Sequence, residues 1–244
     1  MNYTARPPWD LTDPERAASV DLAWIYRSFA DHRGFRHPFW DWIETGELSL
    51  EVLKEFALLY YEHVKYFRQY IARALSVVAK ESTQIVLAHI LADEYGISEE
   101  ASHPEMYRRF MRSLGLEERD FADNQPIPGI QHFRRAHFEL FSESRTEETL
   151  GAVAFGCESS TPYRHGKVIA GIGRVAENHG LAIDDTFFSA HIEIDDKHSS
   201  LLMAELKPLL ANARSRERLA EGARISFDAR EVFLDGVMQA LGVD

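Results

Sequence analysis

The stretch Phe187–Leu202, FFSAHIEIDDKHSSLL, reads as a helix with apolar ends and two histidines, two aspartates and a glutamate between them. Positions i, i+4 and i+7 of a helix lie within about 60° of one another. His191, Asp195 and His198 therefore form one stripe, which Leu202 extends and Phe187 and Phe188 flank. Glu193 and Asp196 point elsewhere. A stripe shared with large apolar residues faces inward, and burying its polar groups is costly unless something neutralises them. Two imidazoles and a carboxylate suit a first-row metal ion. A hydrogen-bonded polar core is the alternative reading of this helix alone.

Three other stretches weigh toward metal. AVAFGCESS carries Glu158 behind a run too apolar to be a solvated face. HILADEYG ends an apolar helix on Asp93 and Glu94, and SHPEMYRRF opens the next with His103 ahead of Pro104. One helix end and the next helix start can converge, so Glu94 and His103 can share a site, with Asp93 as the rival of Glu94. The candidate set is Glu94, His103, Glu158, His191, Asp195 and His198. Its three carboxylates supply three negative charges against the four of two divalent ions, leaving room for an anionic ligand or substrate. Mixed nitrogen and oxygen donors suit non-haem iron, and manganese is possible on ligand type. Zinc favours a closed tetrahedral set, often with thiolates, and Cys157 is the sole cysteine.

A ferritin-like arrangement competes for the same residues. It would use Glu100-x-x-His103 and Asp195-x-x-His198, with Glu62 and Glu158 as single ligands. It leaves His191 over, and Pro104 puts His103 in a first helical turn, so Glu100 falls outside the helix.

The rest of the chain is consistent with a helical protein. Its 244 residues, 45% apolar and 27% charged, allow a single domain spanning 1–244 with a sizeable core. A net charge of −12 disfavours nucleic acid and anionic membranes as partners. No apolar run is long enough to span a bilayer, and the N-terminal residues lack a signal-peptide core, so a cytoplasmic protein is expected. Asp13 and Pro14 open a first helix that Gly34 follows. Further helices are expected over PFWDWIETG, over Leu50 to about Lys80 with Ser49 as cap, and over Ser82–Tyr95. Others follow over SHPEMYRRFMRSLG, IQHFRRAHFELFSES, TEETLGAVAFGCESS and TPYRHGKVIAGIGRVAENHG. The motif helix runs to about Ala211, and RERLAEGARISFDAREVFLDGVMQALG is the last. LEERDFADNQPIPG reads as a loop. Roughly eight to ten helices in an all-α layered bundle result.

With these motifs in order, the chain resembles the haem-oxygenase-like diiron oxidases and oxygenases, relatives of the quinone-cofactor synthase PqqC and the TenA-type thiaminase-like proteins. The resemblance rests on ADEYGISEEASHPEMYRRF, FGCESSTPY and HIEIDDKH, with 55 residues from His103 to Glu158 and 33 from Glu158 to His191. It implies a multi-helix haem-oxygenase-like fold, a homodimer, and two Fe2+ ions bound without haem. The same resemblance implies Glu94, His103, Glu158, His191, Asp195 and His198 as ligands, with Glu62 as a candidate extra carboxylate. O2 would be co-substrate in N-oxygenation, C–C cleavage or oxidative decarboxylation of a small amine- or carboxylate-bearing molecule.

Around this set, His63 lies beside the apolar stripe of its helix and reads as structural or substrate-facing. Arg164 or Lys167 could hold a substrate carboxylate, although TPYRHGK also reads as a solvated basic turn. Tyr60, Tyr61, Tyr66, Trp40 and Trp42 read as core or interface, and Cys157 as a small core residue. Two rival classes stand beside the diiron reading. One is a cofactor-free PqqC- or thiaminase-like enzyme, and the other a helical binding protein whose polar residues are exposed.

Overall fold

The computed structural model describes residues 27–97, 101–122 and 124–243. Asp13, Pro14 and Glu100 lie outside them. The described residues form ten α-helices and no strand: α1 Pro38–Thr45, α2 Leu50–Val77, α3 Glu81–Glu94, α4 His103–Ser113, α5 Glu118–Ala122, α6 Pro128–Leu140, α7 Thr146–Gly151, α8 Thr161–His179, α9 Thr186–Leu210 and α10 Ala213–Leu241.

Local chemistry sets most of these boundaries. The Ser49 hydroxyl accepts a hydrogen bond from the Val52 amide at 3.2 Å and opens α2. His103 and Pro104 sit at the first positions of α4, where the proline's missing N–H has no partner to lose. Gly180, at φ 62°, closes α8 in the left-handed conformation.

Four expectations are corrected. The described part of the first helix ends at Phe29, short of Gly34, and α2 ends at Val77 rather than Lys80. Residues 118–122, within the expected loop, form the short helix α5, whose Phe121 is buried. The helix expected over TEETLGAVAFGCESS also changes pitch. α7 ends at Gly151, Ala152–Cys157 is wound as a π-helix, and Glu158–Ser160 tightens to a 3-10 turn before α8. A π-segment inserts a residue into the helical ladder and re-aims the side chains beyond it.

α10 is the post on which the domain is built. It packs on α6, α7 and the π-segment, while α9 packs on α3, α4, α8 and the 3-10 turn. Several of the α10 contacts are backbone to backbone. A Cβ at Gly222 would lie 1.8 Å from the Glu148 carbonyl oxygen, one at Gly151 would lie 2.0 Å from that of Leu219, and one at Gly156 would meet the Ser226 side chain at 2.3 Å. Gly34 makes a similar approach to Phe227, so its role is close packing rather than helix termination. These approaches fix the π-segment, and hence Glu158, against a rigid helix.

Gly222→Ala and Gly151→Ala are expected to lower stability by roughly 1–3 kcal/mol in urea titrations, since backbones must separate to admit the methyl group. Gly173→Ala, on α8 with open space at the Cβ position, should instead raise stability by about 0.5–1 kcal/mol.

Candidate metal centre

On α9, His191, Asp195 and His198 are buried and Glu193 and Asp196 are exposed. The other three candidates come from three further elements, and all are buried. Glu94 is the last residue of α3, His103 the first of α4, and Glu158 opens the 3-10 turn behind the π-segment.

The six residues fall into two groups of three. Within each group, one possible ligand atom per residue lies within 4.8 Å of the others. Glu94, His103 and His191 form the first. Glu94 Oε1 is 2.9 Å from His103 Nδ1, and the His103 and His191 ring centroids are 4.1 Å apart. Glu158, Asp195 and His198 form the second. His198 Nδ1 is 3.3 Å from Glu158 Oε2 and 3.9 Å from Asp195 Oδ1. Asp195 also lines a cavity with Glu94, His103 and His191, so it stands between the groups.

Asp93 and Glu94 are consecutive and diverge by about 100° around α3. Glu94 joins the donors, whereas Asp93 Oδ2 accepts a hydrogen bond of 2.9 Å from His198 Nε2. This bond directs His198 Nδ1 toward Glu158 and Asp195, the arrangement by which a carboxylate orients a metal-binding imidazole. His191 is oriented similarly: Nδ1 donates to the Phe187 carbonyl at 2.5 Å. Its lone pair is then on Nε2.

The electrostatics are those of a site with too much negative charge at one end. Burial, reinforced by the Glu158 carboxylate, pushes Asp195 well above the usual carboxylate range. Burial lowers the His198 pKa, but its hydrogen bond to Glu158, the Glu158 and Asp195 charges and Asp93 overcome this and raise it to about 9. Burial, with His103 and His165 nearby, holds His191 well below the ordinary histidine value, so it is neutral. Protons thus occupy Asp195 and His198, from which a bound cation would displace them.

A pair of divalent cations fits this donor set. Glu158 Oε1 is buried without a hydrogen-bond partner. The first group offers one carboxylate and two imidazoles and the second two carboxylates and one imidazole, a chemistry suited to iron or manganese.

Other candidates take different places. Glu62 is buried but paired with Lys65 Nζ at 2.5 Å, and it does not line the cavity. His63 lines the cavity and stands edge-on to Phe133, and burial lowers its pKa. Lys167 is paired with Asp41 and Glu44 at the periphery. Arg164, by contrast, is no solvated turn residue: it is buried and lines the cavity. Tyr60 combines core packing with a place on the cavity wall.

Arg230, a fully buried cavity residue on α10, is absent from the candidates that the sequence suggests. The test applied to Phe187–Leu202 finds it, because Arg230 lies on the buried stripe of Leu219, Ala223, Phe227, Phe233 and Val237.

Comparison with known proteins agrees with this architecture. The chain is 24% identical over 209 residues to a 4-aminobenzoate synthase of Chlamydia muridarum, covering 83% of this chain and 84% of that one. A 4-aminobenzoate synthase of Chlamydia pneumoniae is 26% identical over 195 residues, covering 78% and 81%. Among solved structures, a CADD-like protein of unknown function from Nostoc punctiforme superposes with TM-score 0.75 at 17% identity, over 90% of this chain and 96% of that one. A TenA homologue from Pseudomonas syringae gives TM-score 0.71 at 16% identity, over 90% and 93%. The fold is therefore haem-oxygenase-like. Residues 54–231 match the family described as iron-containing redox enzymes, and the chain belongs to that family.

Proposed function

We propose that the protein is a non-haem, two-iron, O2-dependent oxidase or oxygenase acting on a small amine- or carboxylate-bearing molecule. The observation that carries this reading is the convergence of two buried three-residue donor groups on one helix, the first group and Asp195 of the second lining one cavity. Glu94, His103 and His191 would hold one ion, and Glu158, Asp195 and His198 the other, with manganese able to replace iron in either place. Bound iron would supply the one-electron redox steps and O2 activation that amino-acid side chains lack.

The chain's own residues have three tasks. The imidazoles of His191 and His198, fixed by the Phe187 carbonyl and Asp93, keep their donor atoms in place. Asp195, between the groups, is placed to serve both. The aromatic wall of Tyr60, Phe67 and Phe187 keeps water from the reacting atoms. The name 4-aminobenzoate synthase, borne by the chlamydial relatives, supports a substrate or product with an amine and a carboxylate on a small apolar body.

A cofactor-free enzyme is the second reading, favoured by the TenA homologue's fold. It gives no role to three buried carboxylates in contact with three imidazoles, which metal-free chemistry does not need.

Elemental analysis after expression with iron is expected to return two ions per chain. His198→Ala and Glu158→Ala should each hold about one or none, and chelation should lower the melting temperature of the wild type by removing a ligand of the folded state. A folded wild-type protein that takes up no metal would sink the proposal. Asp93→Asn is expected to weaken metal affinity about 10–100-fold in chelator competition while leaving the donor set complete. O2 consumption screened against small amines and carboxylic acids then identifies the substrate class.

A further inference from the structure

Two arginines line the metal-centre cavity, and both are almost wholly buried: Arg164 at 3% and Arg230 at 1% exposure. A buried guanidinium ordinarily requires a carboxylate partner. The hydrogen bonds of these two go to uncharged acceptors. Arg164 donates from Nε to the Ser160 carbonyl at 3.1 Å, and from Nη2 to the Cys157 carbonyl at 3.3 Å and the Thr161 hydroxyl at 2.7 Å. Arg230 Nη2 donates to the Gly156 carbonyl at 2.9 Å, and its guanidinium lies 5.1 Å from the centre of the Phe133 ring. Arg164 Nη1 and both Nε and Nη1 of Arg230 are buried with no hydrogen-bond partner.

The two side chains are tethered to the carbonyls of consecutive residues, Gly156 and Cys157, immediately before Glu158. They therefore converge on one end of the cavity, with unused donors beside the metal-binding groups. The charge count has the same sense. Two divalent cations exceed the charges of Glu94, Glu158 and Asp195 by one, and the guanidiniums raise the excess to three. A cavity with that excess and with aromatic walls is complementary to an anion on an apolar body.

We propose that Arg164 and Arg230 form an anion subsite that holds the carboxylate of the substrate and points the rest of the molecule toward the metal centre. This rests on the two-iron reading for the identity of the bound molecule as substrate. The substrate class is then a small monocarboxylic acid with an aromatic or compact aliphatic body, and Arg164 and Arg230 set that specificity.

The test is calorimetric titration of the ferrous-loaded protein, without O2, with benzoate and with benzamide, its uncharged counterpart. Benzoate is expected to bind at least tenfold more tightly than benzamide. Arg164→Gln and Arg230→Gln should each weaken benzoate at least tenfold with iron content unchanged, and Arg164→Lys should recover part of the loss. Equal affinity for benzoate and benzamide overturns the proposal, and this comparison needs no variant to fold. So does benzoate binding that depends on iron but is indifferent to both Gln substitutions, since the carboxylate then sits on the metal. A protein that takes up no iron removes the two-iron reading instead, and titration of the protein as purified then decides the anion subsite by itself.

Discussion

Three carboxylates and three imidazoles, buried within reach of one another, are the constraint around which this structure is organised. A carboxylate taken from water into a protein interior loses several kcal/mol of solvation, and like charges nearby add to the loss. Without a cation the site must be filled with protons, as the raised Asp195 and His198 values indicate. With cations, the same atoms become favourable partners. The family to which the chain belongs is named for iron, and the donor chemistry agrees with that name.

The scaffold answers this constraint by placing the donors on helix frames and orienting His191 and His198 from behind. α9 supplies three donors at fixed helical intervals, so their spacing needs no loop. The final turn of α3 supplies two carboxylates with separate tasks: Glu94 among the donors, and Asp93 behind His198. A displacement of that turn therefore disturbs both donor groups. Glu158 has the least regular support locally, yet the glycine contacts between α10 and the segment around residues 151–156 lock its backbone. The same segment offers the carbonyls that position Arg164 and Arg230, so one irregular strip organises both Glu158 and the two cationic groups.

Much of this is legible in the sequence. Helix type follows from apolar periodicity and from caps such as Ser49 and Gly180, and the inward stripe of α9 follows from spacing alone. The convergence of Glu94 with His103 is what a helix end meeting a helix start suggests. The π-winding of Ala152–Cys157 is not legible, because small apolar residues fit α and π geometry alike and the choice is made by packing on α10. The choice between Asp93 and Glu94 is open in the sequence for a related reason: a 100° difference in direction is meaningful only once the axis of α3 is placed. Arg164 reads as part of a solvated basic turn because its sequence neighbours are polar, whereas in the fold it is buried and bonded to the Cys157 carbonyl of the π-segment. Arg230 is legible by the same spacing test, as a charged residue on the buried stripe of α10.

The pitch change before Glu158 also sets the direction of that side chain. A wide turn accommodates one more residue than an α-turn over a similar rise. Deleting any one residue from 152–157 would let the ladder relax to regular α-geometry at little cost in hydrogen bonds. The phase of everything beyond would be roughly kept, whereas winding all six residues as α-helix would turn it by about 100° relative to α7. With that α-winding, Glu158 would turn away from His198. The irregular turn thus serves as a phase shifter, and its winding decides where Glu158 points.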